Sequence, residues 1–307
     1  MQRIKPYILL IFVMMIWGFN VPLIKMLVGT FEPVTITAFR IFIASLVVFL
    51  ILGRMGKVHW PAIYHWKFIL GGGLFNVFFH HLFLGLGAAG TSAVHTGIIL
   101  GLGPILTAIM SVIFFRRGLS FLRVLGIATG TAGVLVTVLG GGGGVSGFVL
   151  GDLYIFLSIT AQAFSFILVS RAGRDMDPLL LTGYMQLFGS LGLLVTSFLL
   201  EPAGLASLAN VNVTMIVVFL LSAVGATAVG HLVYNNTITK IGPAEAAIFL
   251  NLNTFFSIVG SAVILGEPIY YYHWLGLLLI VPGVLMGSGA LEEMIRKRRK
   301  SVAEVNK

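Results

Sequence analysis

Long apolar stretches, separated by short polar or glycine- and proline-containing breaks, run along almost the whole chain. A helix that crosses a membrane needs about 20 apolar residues, because the hydrocarbon core of a bilayer is ~30 Å thick. Stretches of that length recur through the sequence, and the breaks between them leave no room for a soluble domain. The pattern predicts an all-α membrane protein with ten transmembrane helices, near residues 7–28, 33–53, 67–88, 92–115, 121–139, 151–170, 178–200, 213–237, 243–266 and 273–290.

The composition fits a chain that is surrounded by lipid. Of the 307 residues, 58% are hydrophobic and 9% are charged, whereas soluble domains are about 25% charged. The net charge of +9 could indicate a nucleic-acid partner. The basic residues lie between the predicted helices, however, so their positions indicate how the helices are oriented in the membrane. No nucleic-acid partner is expected. Cysteine is absent, which excludes disulfides and thiolate metal sites.

The positions of Lys and Arg orient the predicted helices, because these residues accumulate in cytoplasmic loops. Placing the N-terminus in the cytoplasm leaves the outer loops without Lys or Arg. Of the 19 basic residues, 17 then lie on the cytoplasmic side, and the other two, Lys25 and Arg40, lie inside or at the outer ends of the first two helices. Both the N- and C-termini are therefore predicted to be cytoplasmic, in a multi-pass protein of the cell (inner) membrane. The basic segment 296–300 is expected to contact anionic lipid.

The two halves of the chain resemble each other. A shift of 145 residues aligns Glu32-Pro33 with Asp177-Pro178, and a shift of 150 aligns Gly133-Val134-Leu135 with Gly283-Val284-Leu285. Because each half holds an odd number of helices, five, the second copy enters the membrane from the opposite side. The sequence thus predicts two inverted five-helix repeats at 1–139 and 151–291, a glycine-rich outer linker at 140–150 and a basic cytoplasmic tail at 292–307.

Inverted repeats are common in secondary transporters, because two pseudo-symmetric halves can expose one central site to each side of the membrane in turn. A duplication can also be only a trace of how a fold arose, and the pattern leaves that alternative open. A transporter working by alternating access is the function that the repeat predicts. Such a mechanism requires no cofactor, and none is expected.

Short motifs in both halves resemble those of one known superfamily. They are Ile16-Trp17-Gly18-Phe19-Asn20 in helix 1, Pro33 with Arg40 in helix 2, Thr91-Ser92-Ala93 through Pro104 in helix 4, and Gly242 to Ala247 with Leu265-Gly266-Glu267-Pro268 around helix 9. In these motifs and in the order of its elements, the chain resembles the drug/metabolite transporter superfamily, specifically its ten-helix EamA-type branch. The resemblance implies export or exchange of small metabolites, commonly amino acids or drugs. The chain departs from the family pattern at Thr254, where proline is expected in helix 9.

Polar side chains within the predicted helices are candidates for a substrate pathway, because polar groups in hydrocarbon are costly unless satisfied. A tryptophan at mid-helix does not fit the interfacial belt, and Trp17 could wall a site for an apolar group. Each candidate could instead bond or pack between helices without touching substrate. The candidate substrate-binding residues, expected around a central cavity between helices 1, 3, 4, 6, 8 and 9, are Trp17, Asn20, Asn76, His80, Gln162, Ser165, Asn251 and Asn253.

Charged residues within the predicted helices narrow the substrate class. No carboxylate is expected at mid-depth, which argues against antiport of organic cations with protons. Arg40, about two turns from the outer end of helix 2, could contact a carboxylate or phosphate group or act at a gate, or it could extend to the outer interface. His80 is the candidate for proton coupling, because histidine titrates near physiological pH and this one shares a helix face with Asn76.

The sequence therefore predicts a secondary transporter that exports or exchanges small metabolites, with amino acids and related neutral or carboxylate-bearing solutes as the leading class. The alternatives are exchange of phosphorylated or nucleotide-linked metabolites, efflux of neutral drugs, and a membrane sensor or receptor. No enzyme and no metal are expected, since the chain has no H-E-x-x-H motif and no aspartate pair within predicted helices. The expected partners are the small-molecule substrate and the lipid bilayer, with the protein a monomer or weak dimer.

Overall fold

The computed structural model describes residues 4–91, 99–116, 118–140, 149–288 and 291–292. All regular secondary structure in these residues is helical, which confirms the predicted all-α class. Several predicted features lie outside the described residues: Ser92 and Ala93 of the helix 4 motif, most of the glycine-rich linker, and nearly all of the basic tail.

The described first half contains helices α1 (Lys5–Val28), α2 (Pro33–Arg54), α3 (66–90), α4 (Gly103–Phe115) and α5 (Phe121–Leu139). α3 is continuous but not uniform. Its middle segment, Gly73–Phe79, is π-helical and lies between the α-helical segments Trp66–Gly72 and His80–Gly90. Because a π-helix bonds residue i to i+5 rather than i+4, this segment rotates the residues that follow it.

The described second half contains α6 (Leu150–Ala172), α7 (Pro178–Leu200), α8 (Val213–Ile241), α9 (Pro243–Leu265) and α10 (Tyr271–Gly287). α8 has a π-helical middle, Leu221–Val229, as α3 does. α9 is broken by a turn at 248–249, which separates Pro243–Ala247 from Leu250–Leu265. A short helix, Gly204–Ser207, follows α7.

Capping residues and glycines define several helix ends. Asp177 caps α7 by accepting a hydrogen bond from the Leu179 backbone at 2.8 Å, and Pro178 occupies the first helical position, where its missing N–H costs nothing. Gly242 and Gly266 follow α8 and α9 with φ of +95° and +71°. L side chains rarely adopt such a backbone conformation, so glycine ends each helix at low cost.

Seven helical stretches of the described residues are long and apolar enough to cross a membrane. Three shorter apolar helices, Gly103–Phe115, Phe121–Thr137 and Tyr271–Gly287, accompany them. The structure thus confirms a multi-pass, all-helical membrane protein. Ten crossings and the cytoplasmic position of both termini stay predictions, because three of the predicted spans correspond to helices shorter than a full crossing in the described residues.

Helices α5 and α10, which hold equivalent places in the two halves, pack backbone against backbone. Glycines permit this approach because they have no side chain. The facing pairs are Gly126 with Gly287, Gly130 with Gly283, and Gly133 with Gly276. One residue number rises as the other falls, so the two helices are antiparallel.

Helices α2 and α7 form a second antiparallel pair. Glu201, which follows α7, accepts hydrogen bonds from the backbone N–H groups of Val34 and Thr35 at 2.9 and 2.7 Å and so caps the start of α2. Near the start of α7, Gly183 packs against Val48 in the last turns of α2. Around these two pairs, α1 contacts α8 and α9, and α6 correspondingly contacts α3 and α4.

Ion pairs link the two halves at both ends of the bundle. We call the end at which α1 begins the Lys5 face; α2 ends there, and α5, α7 and α9 begin there. The pairs at the Lys5 face are Lys57 with Asp177 at 2.8 Å and Arg123 with Glu245 at 2.6 Å, and the pair at the opposite face is Lys25 with Glu267 at 3.0 Å. The last pair is largely exposed and is expected to contribute little stability.

The surroundings of Asp177 lower the pKa of its carboxyl group. Partial burial raises its pKa, but the hydrogen bonds from Lys57 and from the backbone of α7 outweigh burial, so that the pKa lies below its ordinary value. The charged form is therefore favoured in the folded protein. The Lys57–Asp177 pair stabilises the α2–α7 contact at neutral pH and weakens as the pH falls through the range in which carboxyl groups titrate.

Candidate functional site

Arg40, on α2, lies in the interior of the helical bundle and is 5% exposed. Its Nη1 atom donates to Thr227 Oγ1 at 2.7 Å and to Ser222 Oγ at 3.5 Å, both in the π-helical segment of α8. The side chain therefore points into the bundle and does not extend to the outer interface, the alternative considered from the sequence. Within the described chain it forms no ion pair, and most of its five N–H donors have no protein acceptor.

The acidic residues of the described chain lie at helix ends or in connecting segments, and none of them pairs with Arg40. They are Glu32, Asp152, Asp175, Asp177, Glu201, Glu245, Glu267 and Glu292. Asp152, which lies inside the predicted helix 151–170, is 4% exposed in the first turn of α6. It accepts hydrogen bonds from Thr91 Oγ1 and from the Val149 backbone.

Thr227 joins α2 and α7 to the π-helical segment of α8. Its hydroxyl accepts the bond from Arg40 and donates to the Ser222 carbonyl at 3.0 Å. Its carbonyl oxygen accepts from Gln186 Nε2 of α7 and from His231 Nδ1, both at 2.9 Å. At the end of the π-helical segment, the same carbonyl also accepts from the Gly230 backbone N–H. Such segments are frequent at functional sites.

His80 and Asn76, on α3, both bond to α6. Asn76 Nδ2 donates to Ser165 Oγ at 2.7 Å. His80 Nδ1 lies 2.8 Å from Ser158 Oγ, whose own O–H donates to the His80 carbonyl at 2.9 Å. The amide of Gln162 donates to His80 Nε2 at 3.0 Å. This pattern assigns the proton of a neutral imidazole to Nδ1 and leaves both ring nitrogens engaged.

Trp17 of α1 packs against α8, next to the π-helical segment that contacts Arg40. Its indole Nε1 donates to the Ala226 carbonyl at 2.8 Å, so the polar edge of the ring is satisfied. The ring centroids of His231 and Tyr234 lie 5.1 and 4.9 Å from that of Trp17. The absence of a side chain at Gly230 makes room for the indole, since a Cβ there would lie 2.4 Å from Nε1. Trp17 thus provides an aromatic wall beside His231.

His81 and His231 meet between α3 and α8. Their ring centroids are 6.3 Å apart, and the rings of His80 and His81 are 4.7 Å apart. Although successive residues on a helix point in different directions, the rings of His80 and His81 are neighbours. Together these residues form what we call the central polar cluster: Arg40, His80, His81, Gln186, Thr227 and His231.

Three sequence-derived candidates have no hydrogen bond to the central polar cluster within the described residues. Asn251, 1% exposed, packs against Gly130 of α5, with its Nδ2 atom lacking an acceptor there. Asn20 is buried and Asn253 half-buried, and the Oδ1 atom of each lacks a donor in the same part of the chain. The candidates that the structure brings to the cluster or beside it are Trp17, Arg40, Asn76, His80, Gln162 and Ser165.

Several residues in the cluster or bonded to it were not identified from the sequence. Gln186, Ser222 and Thr227 are single polar residues in apolar helices, and nothing in their spacing marks them. His81 and His231 did carry a signal, because they are related by the same shift of 150 residues that aligns the ends of the two repeats.

The cationic charge of the central polar cluster is not balanced by an ion pair within the described residues. Arginine and imidazole groups converge there without a carboxylate, and a buried cation with no counter-charge costs several kcal/mol. Within the described residues, no group of three His, Cys, Asp or Glu side chains could hold a metal ion. An apolar cavity of about 400 Å³ between α4 and α5, lined by residues such as Ile105, Ala108 and Ile127, is separate from the cluster.

The comparisons with known proteins agree with a helical transporter. A solved crystal structure superimposes with a TM-score of 0.78, covering 93% of this chain and 97% of its own at 17% identity, and so shares the fold. YyaM of Bacillus subtilis, named an uncharacterized transporter, is 29% identical over 303 residues, which are 95% of this chain and 96% of that protein. An uncharacterized transporter of Archaeoglobus fulgidus is 26% identical over 96% of this chain and all of its own length.

Fold and relatives together define a membrane transporter of small molecules. The sequence profile of the EamA-like transporter family matches residues 4–139 and 149–288. The chain belongs to the EamA-like transporter family, as the motifs in both halves indicated. No enzymatic family is indicated by these matches.

Proposed function

We propose that this protein is a secondary transporter that exports or exchanges small carboxylate-bearing metabolites, amino acids among them, across the cytoplasmic membrane by alternating access. The observation that carries the proposal is Arg40, a guanidinium that is 5% exposed and has hydroxyl groups as its partners within the described chain. A substrate carboxylate would supply the missing counter-charge. It would also accept two parallel N–H bonds from the planar guanidinium.

The packing of the halves supports alternating access. The central polar cluster takes Arg40 from the first half and Thr227 and His231 from the second, so a solute held there contacts both halves. The antiparallel α2–α7 and α5–α10 pairs allow the halves to exchange conformations about the cluster.

The proposal includes ten crossings with both termini in the cytoplasm. Seven long stretches and three shorter apolar helices give ten elements in the described residues, and an even number returns the chain to the side where it began. The Lys5 face is then the cytoplasmic face, as the distribution of Lys and Arg predicts.

The proposed binding site is the central polar cluster with its flanking walls. Trp17 provides an apolar, aromatic wall on the α8 side. Asn76, Gln162 and Ser165 provide amide and hydroxyl groups on the α6 side. A solute with a carboxylate, a polar group and an apolar part would match these three surfaces. Asn20, Asn251 and Asn253 are left outside the proposed site.

The experiment that tests the proposal is a metabolite screen on the purified full chain in liposomes, which scores the solutes whose efflux it accelerates. We expect carboxylate-bearing solutes, and we expect Arg40→Gln to slow their efflux by about tenfold or more, because a hydrogen bond to a charged group contributes about 1.5–3 kcal/mol. Lys25→Gln is the matched control, since it removes an exposed basic residue outside the cluster.

Other results would replace the proposal by one of its alternatives. Efflux of phosphorylated or nucleotide-linked solutes in preference to carboxylates would identify an exchanger of those metabolites. Efflux of neutral compounds that is indifferent to Arg40→Gln would identify a drug exporter. Binding of a labelled solute without any efflux would identify a receptor.

A further inference from the structure

His81 and His231 hold equivalent places in the two halves. A shift of 150 residues relates them, and each follows a π-helical segment, Gly73–Phe79 in α3 and Leu221–Val229 in α8. Their rings lie 6.3 Å apart at an angle of 59°. The two repeats therefore bring the same side chain to one point between the halves, where a change in the relation of the halves must change the distance between the rings.

The two rings lie beside Arg40. His231 Nδ1 donates to the Thr227 carbonyl and Arg40 Nη1 to the Thr227 hydroxyl, so that one residue positions both the imidazole and the guanidinium. The proton of neutral His231 is then on Nδ1, which leaves Nε2 able to accept another. Both histidines are half-buried, whereas His80 is 6% exposed.

His80, the candidate from the sequence, is less suited to take up a proton. Its Nδ1–H already donates to Ser158, and its Nε2 already accepts from Gln162. A second proton on this ring would break the bond from the Gln162 amide. The hydrogen bonds of His80 hold α3 against α6.

The groups that face the histidine pair decide when it is charged. The histidine pair faces Arg40 on α2. Its neighbours on its own helices are His80 on α3 and Tyr234 on α8, and Tyr234 packs against Trp17. α6 presents the hydroxyl and amide of Ser158 and Gln162 to His80, and α7 presents the amide of Gln186 to Thr227. No carboxylate of the described chain pairs with these groups, so an added proton is opposed by the neighbouring cation.

We propose that His81 and His231 form a shared proton site that takes up one proton from water together with a carboxylate-bearing solute at Arg40. This inference rests on the proposed transport of carboxylates. A bound carboxylate neutralises Arg40 and places a negative charge near the imidazoles, which favours their protonated form. By linkage, the proton in turn strengthens binding of the anion. One anion and one proton cross together, and the movement is electrically neutral.

Trp17 provides a direct readout of this site. A protonated imidazole quenches the fluorescence of a neighbouring indole, and the His231 ring is 5.1 Å from that of Trp17. In a full-length protein whose other tryptophans, Trp60, Trp66 and Trp274, are changed to phenylalanine, the signal comes from Trp17 alone. The experiment measures its fluorescence between about pH 5 and 8, the range in which histidine changes charge, in lipid nanodiscs without and with acetate, lactate or benzoate.

We expect at least one of these carboxylates to move the midpoint of the fluorescence titration upward by about one pH unit, as an opposite charge within ~4–6 Å does. A fluorescence signal that does not change over the range, or a midpoint that none of the three carboxylates moves, overturns the proposal. This measurement requires no flux, so a failure of the proposed transport and a failure of the proton site are seen separately.

Single substitutions assign the titration to residues. His231→Gln is expected to abolish it, and His81→Gln to lower its midpoint or abolish its response to carboxylate. His59→Gln, the matched control at an exposed histidine, is expected to leave both unchanged. A titration that survives both cluster substitutions but disappears in His80→Gln would assign the proton to His80 and contradict the proposal.

Discussion

The close contact between α5 and α10 makes a quantitative prediction for Gly126→Ala. A Cβ at this position would lie 2.2 Å from the Gly287 backbone nitrogen and 2.7 Å from the Gly283 carbonyl oxygen, whereas ordinary contact begins at 3.4 Å. The obstacles are backbone atoms, which cannot rotate away. The two helices must therefore separate by about 1 Å or distort, and overpacking of this kind costs about 1–3 kcal/mol.

The matched control is Gly85→Ala on α3, where an added Cβ would meet nothing within 4 Å. Alanine is the better helix former by up to about 1 kcal/mol, so this substitution is expected to leave stability unchanged or to raise it. Gly126→Ala is expected to lower the temperature of unfolding by roughly 2–12 °C, since each kcal/mol moves the midpoint of a protein of this size class by about 2–4 °C.

The assay is thermal unfolding of the purified protein in one detergent, followed by size-exclusion chromatography of the protein that remains folded. All variants are heated at the same rate, because the unfolding of large proteins is often irreversible and its midpoint then depends on that rate. A Gly126→Ala protein that unfolds at or above the temperature of the wild type would refute the backbone contact between α5 and α10.

Two further predictions concern the Lys5 face. Arg123→Gln removes the ion pair with Glu245 that joins the halves at 2.6 Å. If this pair keeps the Lys5 face closed, a cysteine introduced at the buried position Ala246 should react with maleimide about fivefold faster in Arg123→Gln, the factor for 1 kcal/mol. An unchanged reaction rate would contradict this role. Asp177→Asn removes the carboxylate that pairs with Lys57. Because the pKa of the Asp177 carboxyl group is lowered in the folded state, the stability that the carboxylate provides is present at neutral pH and lost as the pH falls toward and below ~4. Thermal midpoints of the wild type and Asp177→Asn should therefore differ by the equivalent of up to about 1 kcal/mol at pH 7 and converge in acid; equal midpoints at pH 7 would exclude the stabilising pair.

The helices could be predicted from the sequence more completely than their internal breaks. Apolar runs and proline punctuation identified α1, α2 and α7 closely, since Pro33 and Pro178 occupy the first helical positions. The π-helical segments in α3 and α8 were not foreseen, because nothing in their apolar sequences distinguishes them from the rest of each helix. The turn at 248–249 that breaks α9 was missed for the same reason.

The candidate site was predicted in part. Residues that are unusual for their helix, such as Arg40, His80 and Trp17, could be identified because polar or interfacial side chains within apolar runs need an explanation. Asn251 was grouped with them on composition, although its side chain faces Gly130 on α5. Composition cannot show which helix a side chain faces; that depends on rotation and on neighbours distant in sequence.

The central claim, that Arg40 is kept without a counter-charge in order to bind an anionic solute, is tested most directly by measuring two properties of Arg40→Gln in the same preparation. The first is efflux of a carboxylate-bearing solute from liposomes, and the second is the thermal midpoint of unfolding. A buried guanidinium without an acidic partner costs stability, so we predict that Arg40→Gln loses about tenfold or more of its efflux while its midpoint stays the same or rises. Efflux equal to that of the wild type, or a fall in both properties together, would show that Arg40 supports the fold and would contradict the account.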